Sequence, residues 1–177
     1  RRLQNYTSVL QQSLALADAL DAGQQARTAL DELIRMLRAH RALLFQVQEG
    51  SSLLLPSAGR DDKSTDVTDW RGFLSEIVEK VRTSRRPSIV LADATHGTAG
   101  RSIIAAPLLL RDQLLGVLYL EAEGTGRRFQ KEDQEILLGL GSQIASTLVS
   151  SRAVQLEFDR AIANRRLDEQ GALLDAA

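Results

Sequence analysis

The sequence contains no cysteine, and only two histidines and three prolines among its 177 residues. Without cysteine the chain can form no disulfide, no thiolate nucleophile, no cysteine-ligated zinc site and no iron–sulfur cluster. Two histidines also argue against a histidine-rich metal site, so no metal ligand is predicted. These exclusions remove several classes of redox and metal chemistry.

Neither sign of charge dominates. The 22 basic and 23 acidic residues leave a net charge of −1, so no strong field would draw nucleic acid or an anionic membrane to the protein. Aromatic residues make up only 4% of the chain, and none lies within the basic pairs at 85–86 and 127–128. These pairs are therefore predicted to be solvated ends of structural elements, and no nucleic-acid partner is expected.

The chain has no apolar run of the roughly 20 residues needed to cross a bilayer. Its first residues, RRLQNYTSVLQQ, lack the apolar block of a signal peptide. We therefore expect a cytoplasmic location without membrane insertion. The chain begins at Arg1 without an initiator methionine, which suggests a piece excised from a longer protein.

The segment RSIIAAPLLLRDQLLGVLYLEAE (101–123) carries the most information. Two apolar runs flank the polar pair Arg111-Asp112, a pattern typical of a tight hairpin of two buried strands. Apolar residues at helical spacing then continue from Phe129 to Ile162. A helix of about 35–40 residues far exceeds the average, so its far half needs a partner outside one small core.

The remaining pattern alternates helices and strands, which predicts an α+β domain with a mainly antiparallel sheet. Asp21 is a candidate N-cap, and His40 is expected to interact with the negative end of the helix that Asp21 begins. Pro56 is expected either to end its strand or to place it at a sheet edge. Further predicted elements are a first helix in 1–20, strands in 42–48, 52–56 and 88–91, a helix from Phe73 that ends before Pro87, and exposed loops in 58–69 and 92–100.

Residues 21–150 resemble a GAF domain in three segments that follow one another in the expected order. These are the helix and strand that end at Val47, the phrase LSEIVEKVRTSRRPSIVLADA (74–94), and the hairpin with the Phe-x-x-x-Asp helix that follows it. The resemblance implies a central antiparallel sheet with terminal helices on one face and pocket-forming loops on the other. It also implies a small-molecule sensor of the kind found in histidine kinases, cyclases and phosphodiesterases. Residues 1–20 would then be a dimerisation helix, and residues 151–177 a linker helix to an output module.

Departures from the family pattern narrow this expectation. Phe129 and Asp133 match the signature of cyclic-nucleotide-binding members, but Gln134 stands where glutamate is expected and no Asn-Lys pair precedes Phe129. The bilin-attaching cysteine of related phytochromes and the catalytic cysteines of the methionine sulfoxide reductases are absent. We therefore predict a non-catalytic domain, and the identity of any cofactor stays open.

Candidate ligand contacts lie on strands and loops above the sheet face that the terminal helices leave free. Gln46 needs a polar partner, which a ligand or water at a sheet edge would supply equally well. Trp70 fits either a lid over a ligand or an anchor for the following helix, and His96 fits either a pocket donor or a solvated loop side chain. The full predicted set is Gln46, Trp70, Asp93, His96 and Ser102, with Leu44 and Ile104 as apolar lining.

Two functions remain open from the sequence. The first is a regulatory sensor that binds a small molecule and signals through the terminal helices of a homodimer. The second is a dimerisation or spacer module whose pocket is closed by its own side chains. Apolar residues outside one small core predict the dimer in both cases, namely Leu3, Leu10, Leu14, Val154, Phe158 and Ile162.

Overall fold

The computed structural model describes residues 23–92, 100–124 and 128–175. The predicted first helix in 1–20 lies outside the described residues. Residues Gln25–Ser146 form one compact unit, and the chain from Thr147 onward belongs to another. In chain order the described elements are helix α1 (23–37), strands β1 (Arg41–Val47) and β2 (Leu54–Asp61), helix α2 (Ser75–Ser84), strands β3 (Ser88–Ala92), β4 (Arg101–Leu110) and β5 (Gln113–Glu123), and helix α3 (Lys131–Asp175).

The strands form one antiparallel sheet in the order β2-β1-β5-β4-β3. The central hairpin of β4 and β5 turns at Arg111 and Asp112, whose φ angles of 51° and 65° suit the primed turns of two-residue hairpins. Helix α2 ends before Pro87, where Arg85 adopts a left-handed conformation and its N–H donates to the Val81 carbonyl. The predicted hairpin and the α+β class are confirmed.

The two faces of the sheet bury different helices. On one face, strand residues including Phe45, Ile103 and Tyr119 pack in a single core with α2. On the other, Gly141 of α3 lies against the sheet, and a Cβ there would stand 3.2 Å from Leu108 Cδ2. Helix α1 joins this second face through the ion pair of Asp31 with Arg60 of β2 (2.9 Å). We call the first the α2 face and the second the terminal-helix face.

Strand β2 corrects the prediction for the region around Pro56. The strand continues through this proline to Asp61, because β2 is an edge strand and its register with β1 shifts between Leu44 and Phe45. The edge alternative for Pro56 is thus confirmed, whereas an exposed loop starting at residue 58 is wrong. Polar residues misled the prediction because β2 meets the rest of the unit through charged contacts such as that of Arg60.

The expected role of His40 is also wrong. Its ring Nδ1 accepts a hydrogen bond from the backbone N–H of Glu123 at 2.8 Å, and its backbone N–H donates to the Glu121 carbonyl at 2.7 Å. The Asp62 N–H donates to the His40 carbonyl at 2.8 Å. His40 therefore connects the start of β1 to β5 and to the chain after β2, instead of capping α1.

Candidate functional site

A cluster of charged side chains lies on the α2 face at one end of the sheet. Arg41 begins β1, Arg101 begins β4, and Glu121 lies near the end of β5. The Glu121 carboxylate accepts hydrogen bonds from Arg41 Nε (2.8 Å), Arg41 Nη2 (3.0 Å) and Arg101 Nη1 (2.8 Å). Glu121 is only 3% exposed, so these charged hydrogen bonds form in a place that water hardly reaches. The strand pairing of the sheet brings the three together from distant parts of the sequence.

The cluster also holds the segment 71–74 that leads into α2. The Tyr119 hydroxyl donates to Glu121 Oε1 at 2.6 Å and accepts from the Leu74 N–H at 3.0 Å. Arg101 Nη1 donates to the Gly72 carbonyl at 2.6 Å. Arg101 and Tyr119 thereby connect one end of the sheet to the segment before α2 by hydrogen bonds.

The cluster has more cationic than anionic groups. Two guanidinium groups share the single carboxylate of Glu121. Within the described part of the chain, Arg101 Nε is buried and has no hydrogen-bond partner. A buried donor without an acceptor costs about 1–3 kcal/mol of stability, more when it is charged. This nitrogen is therefore a place where a water or a ligand atom would be stabilised.

The surroundings of the cluster determine the protonation of two members. Burial lowers the pKa of Arg41, but the hydrogen bonds and negative charge of Glu121 outweigh burial and raise that pKa above its usual value. Burial, together with the charge of Glu121, raises the pKa of the Tyr119 hydroxyl well above its usual value of 10.0. At neutral pH, Arg41 is therefore a cation and Tyr119 a neutral hydrogen-bond donor.

The raised pKa of Tyr119 predicts a loss of stability in alkali. The unfolded tyrosine releases its proton above about pH 10, whereas the folded one retains it, so the unfolded state binds fewer protons and the free energy of unfolding falls as pH rises. The slope contributed by this group approaches about 1.4 kcal/mol per pH unit. Urea unfolding between about pH 8 and pH 11 measures it. Tyr119→Phe should show a shallower decline, and equal slopes in both proteins would contradict the assignment.

Aromatic side chains pack beside the cluster. The Phe45 ring lies 5.4 Å from the Trp70 ring, in edge geometry, and 5.1 Å from the Phe73 ring, and Phe73 in turn meets Tyr119 at 6.0 Å. Trp70 is partly buried against the core of the α2 face. It thus occupies the predicted face, with the contacts of an anchor for the segment before α2.

The predicted site residues do not form one group. Gln46 and Ser102 alternate along their strands with residues of the α2 face, so they lie on the terminal-helix face, as do Leu44 and Ile104. Gln46 Nε2 donates to Ser57 Oγ at 2.8 Å, and the buried Ser102 Oγ accepts from the Phe129 N–H at 3.0 Å. The expectation that these two share a face with Trp70 is wrong.

The physical reason is that each polar group already has a partner within the protein. The Phe129 N–H, before α3, donates a hydrogen bond to the Ser102 hydroxyl. The Gln46 amide donates one to Ser57 on the bulged edge strand β2. Asp93 and His96 lie outside the described residues. A ligand contact by Trp70, Asp93 or His96 stays a prediction.

Sequence reasoning missed Arg41, Arg101 and Glu121. The signal was strand parity, because Glu121 and Tyr119 are two residues apart on β5 and must share a face. A carboxylate that alternates with buried apolar residues needs a cation on a neighbouring strand. Which strand supplies that cation depends on register, and register was not part of the prediction.

The Phe-x-x-x-Asp motif has a structural role. Phe129 is buried, and Asp133 Oδ2 accepts a hydrogen bond from the Gln130 N–H at 2.7 Å. Gln130 directly precedes α3, so Asp133 is the third helical residue and satisfies an N–H at the helix start, as in a capping box. In this chain the motif begins the last helix.

Within 23–92, 100–124 and 128–175, histidine and carboxylate side chains form no group of three or more that could hold a metal ion. No helix in these ranges is both long and apolar enough to cross a membrane.

Comparison with known proteins identifies the fold. The family model described as GAF domain matches residues 21–148. No curated protein matches the chain. A GAF domain/HD domain protein from Geobacter sulfurreducens superimposes with a TM-score of 0.57 at 11% identity, covering 78% of this chain and 98% of that one.

Two other solved structures agree. The GAF domain of a phosphoenolpyruvate-protein phosphotransferase from Acinetobacter has a TM-score of 0.55 at 12% identity, covering 84% of this chain and 97% of that one. The second GAF domain of DevS from Mycobacterium smegmatis has a TM-score of 0.50 at 18% identity, covering 82% and 99%. GAF domains are generally regulatory, non-catalytic sensor domains of signalling proteins. Because its family match spans most of its length, this chain belongs to the GAF domain family.

Proposed function

We propose that this chain is a non-catalytic sensor domain of a bacterial-type cytoplasmic signalling protein. It binds a small molecule on the α2 face, at the sheet end where the Arg41, Arg101 and Glu121 cluster lies. Ala92 and Arg101 are paired at this end of the sheet. Asp93 and His96 lie outside the described residues and remain candidate contacts. Trp70 remains a candidate contact from the neighbouring segment.

The buried charged cluster is the observation that supports this proposal. A domain that served only as a spacer would gain as much stability from apolar side chains here, because desolvation of buried ion pairs offsets most of their attraction. A cluster with two cations, one anion and a free buried donor is a poor choice for stability alone. It suits a place where a ligand completes the polar contacts.

The proposal predicts that the protein carries a small molecule. Native mass spectrometry of the chain purified from its own host should show one added mass per protomer, which disappears on denaturation. The same experiment on protein refolded from denaturant and dialysed is the control. A chain from its host with no added mass, together with no response to any metabolite extract, would favour the spacer function.

We further propose that the domain signals as a parallel homodimer through α3. Val149, Leu156 and Leu167 are exposed large apolar residues on this helix. Their spacings of seven and eleven residues are about two and three helical turns, so the three form one stripe. Helical stripes of this kind pair as coiled coils, and the eleven-residue step corresponds to a local change in supercoiling.

This stripe differs from the seam expected from sequence. The side chains of Val154 and Phe158 lie outside the described residues, as do Leu3, Leu10 and Leu14. Ile162 is partly buried. The dimer therefore stays a proposal, supported by exposed residues that the periodicity argument had not selected.

If α3 forms the dimer contact, a charge introduced on its apolar stripe should weaken the dimer. The chain should be a dimer by light scattering at concentrations of order 100 μM, and Leu156→Glu should shift it toward monomer because a carboxylate would be buried against its symmetry mate. Ala161→Glu is the matched control, since Ala161 is exposed and lies on the opposite side of the helix. A wild-type monomer, or equal effects of both substitutions, would refute the proposed stripe.

A further inference from the structure

Arg101 combines burial with an unused donor. The residue is 9% exposed, yet within the described residues its Nε has no acceptor. Buried polar groups in proteins are nearly always paired, and an exception indicates an unseen water, an ion or a functional role. Because the neighbouring side chains already include a second cation, Arg41, an acceptor with negative charge fits this place better than a neutral one.

We infer that the ligand of this domain carries an oxyanion, a carboxylate or a phosphate, that binds Arg101 Nε beside the Glu121 cluster. The inference rests on the proposed sensor function and names the class of molecule sensed. A water would satisfy the hydrogen bond but not the charge, because the two guanidinium groups face one carboxylate. An oxyanion supplies both the acceptor and the missing negative charge.

Existing contacts hold the guanidinium of Arg101 in place before any ligand arrives. Its Nη1 donates to Glu121 Oε1 at 2.8 Å and to the Gly72 carbonyl at 2.6 Å. A planar group fixed at one edge presents its Nε–H in a defined direction, which reduces the entropy lost on binding. The nearby carboxylate of Glu121 would repel an anion, but Arg41 and Tyr119 also donate to it and spread its charge.

The same contacts connect the ligand to α2. Arg101 holds the Gly72 carbonyl, and Tyr119 holds the Leu74 N–H directly before α2 begins at Ser75. An anion that draws Arg101 toward itself would change the balance of these bonds. The start of α2 is therefore the first part of the domain expected to respond to the ligand.

Simple anions test the inference on the full chain. The thermal unfolding midpoint is measured against increasing sodium acetate, succinate or phosphate, with sodium chloride at equal ionic strength as the reference. We expect a saturable rise with at least one oxyanion, and the comparison of acetate and succinate with phosphate distinguishes the two chemistries. No rise beyond chloride with any of them would overturn the inference.

Arg101→Lys should weaken that anion at least tenfold, because lysine keeps the charge but loses the fixed fork. Arg60→Lys is the matched control. Arg60 is a strand arginine on the terminal-helix face, and it already pairs with Asp31 and Asp66. The Arg60→Lys variant should bind the anion with the same affinity as the wild type. Equal binding by Arg101→Lys and wild type would also overturn the inference.

A second measurement removes the dependence on one variant. If Arg101→Lys does not fold, arginine Nε–H signals in the nuclear magnetic resonance spectrum of the wild type replace it, and one such signal must shift saturably with the anion. The carried molecule separates the two proposals. A neutral or cationic molecule retained from the host would leave the sensor function standing and refute the anion, whereas no carried molecule and no anion response would refute both.

Discussion

Glu121→Gln is expected to lower the free energy of unfolding by about 3 kcal/mol, measured by urea unfolding at neutral pH. The substitution retains the shape of the side chain but removes the negative charge that two guanidinium groups share. Breaking a buried ion pair on one side costs about 3–5 kcal/mol, because the remaining charge is left uncompensated. We expect the lower end of this range, since the Arg41 side chain keeps 17% of its surface exposed to water.

Glu123→Gln is the matched control for this effect. Glu123 lies two residues further along β5, and by alternation it points to the same face, but it is exposed. Its substitution should change the free energy of unfolding by no more than about 0.5 kcal/mol. Similar losses in both variants would mean that the charge of Glu121 is not held by the buried arginines. A small loss in Glu121→Gln alone would mean that water reaches the cluster freely.

Gly116→Ala is expected to have a comparable effect through the backbone. A Cβ at this position would stand 2.1 Å from the carbonyl oxygen of Phe45, on the neighbouring strand β1. The obstacle is main chain, so no side-chain rotation relieves it and the central strands β1 and β5 must separate locally. Overpacking in a well-packed core costs about 1–3 kcal/mol and occasionally more, and we expect at least the upper value here.

Gly139→Ala provides the opposite result from the same chemical change. No atom outside its own helix backbone and its chain neighbours lies within 4 Å of a Cβ built at this glycine, which lies inside α3. Alanine should therefore stabilise the protein by about 0.5–1 kcal/mol through its higher helix propensity. Thermal unfolding of the two variants beside the wild type would show shifts of opposite sign. Stabilisation by both substitutions would contradict the close approach at Gly116, and destabilisation by both would contradict the open space at Gly139.

The charged cluster and the close approach at Gly116 both depend on contacts between strands that are distant in the sequence. Gly116 lets two central strands approach closely, and its neighbours along the chain, Leu115 and Val117, do not predict this close approach. The cluster carries a cost in stability that a ligand-free structural role does not require. Both positions are set by which strands become neighbours.

The sequence alone determined the elements that depend on local physics. Two apolar runs around Arg111-Asp112 specified the central hairpin, since both strands and the turn lie within a few residues of one another. The helical periodicity after Phe129 predicted a helix for the same reason, and α3 begins at Lys131. The absence of cysteine excluded whole classes of chemistry without any structure.

Only the tertiary structure decided which polar residues meet. A single step of parity separates Ser102 on the terminal-helix face from Arg101 on the α2 face, whereas sequence reasoning expected Ser102 on the face that the terminal helices leave free. Arg41 and Glu121 are 80 residues apart in the chain and became partners through the register of β1 with β5. Register depends on how all strands and helices share one core, so it is a property of the whole unit and cannot be read from any local pattern.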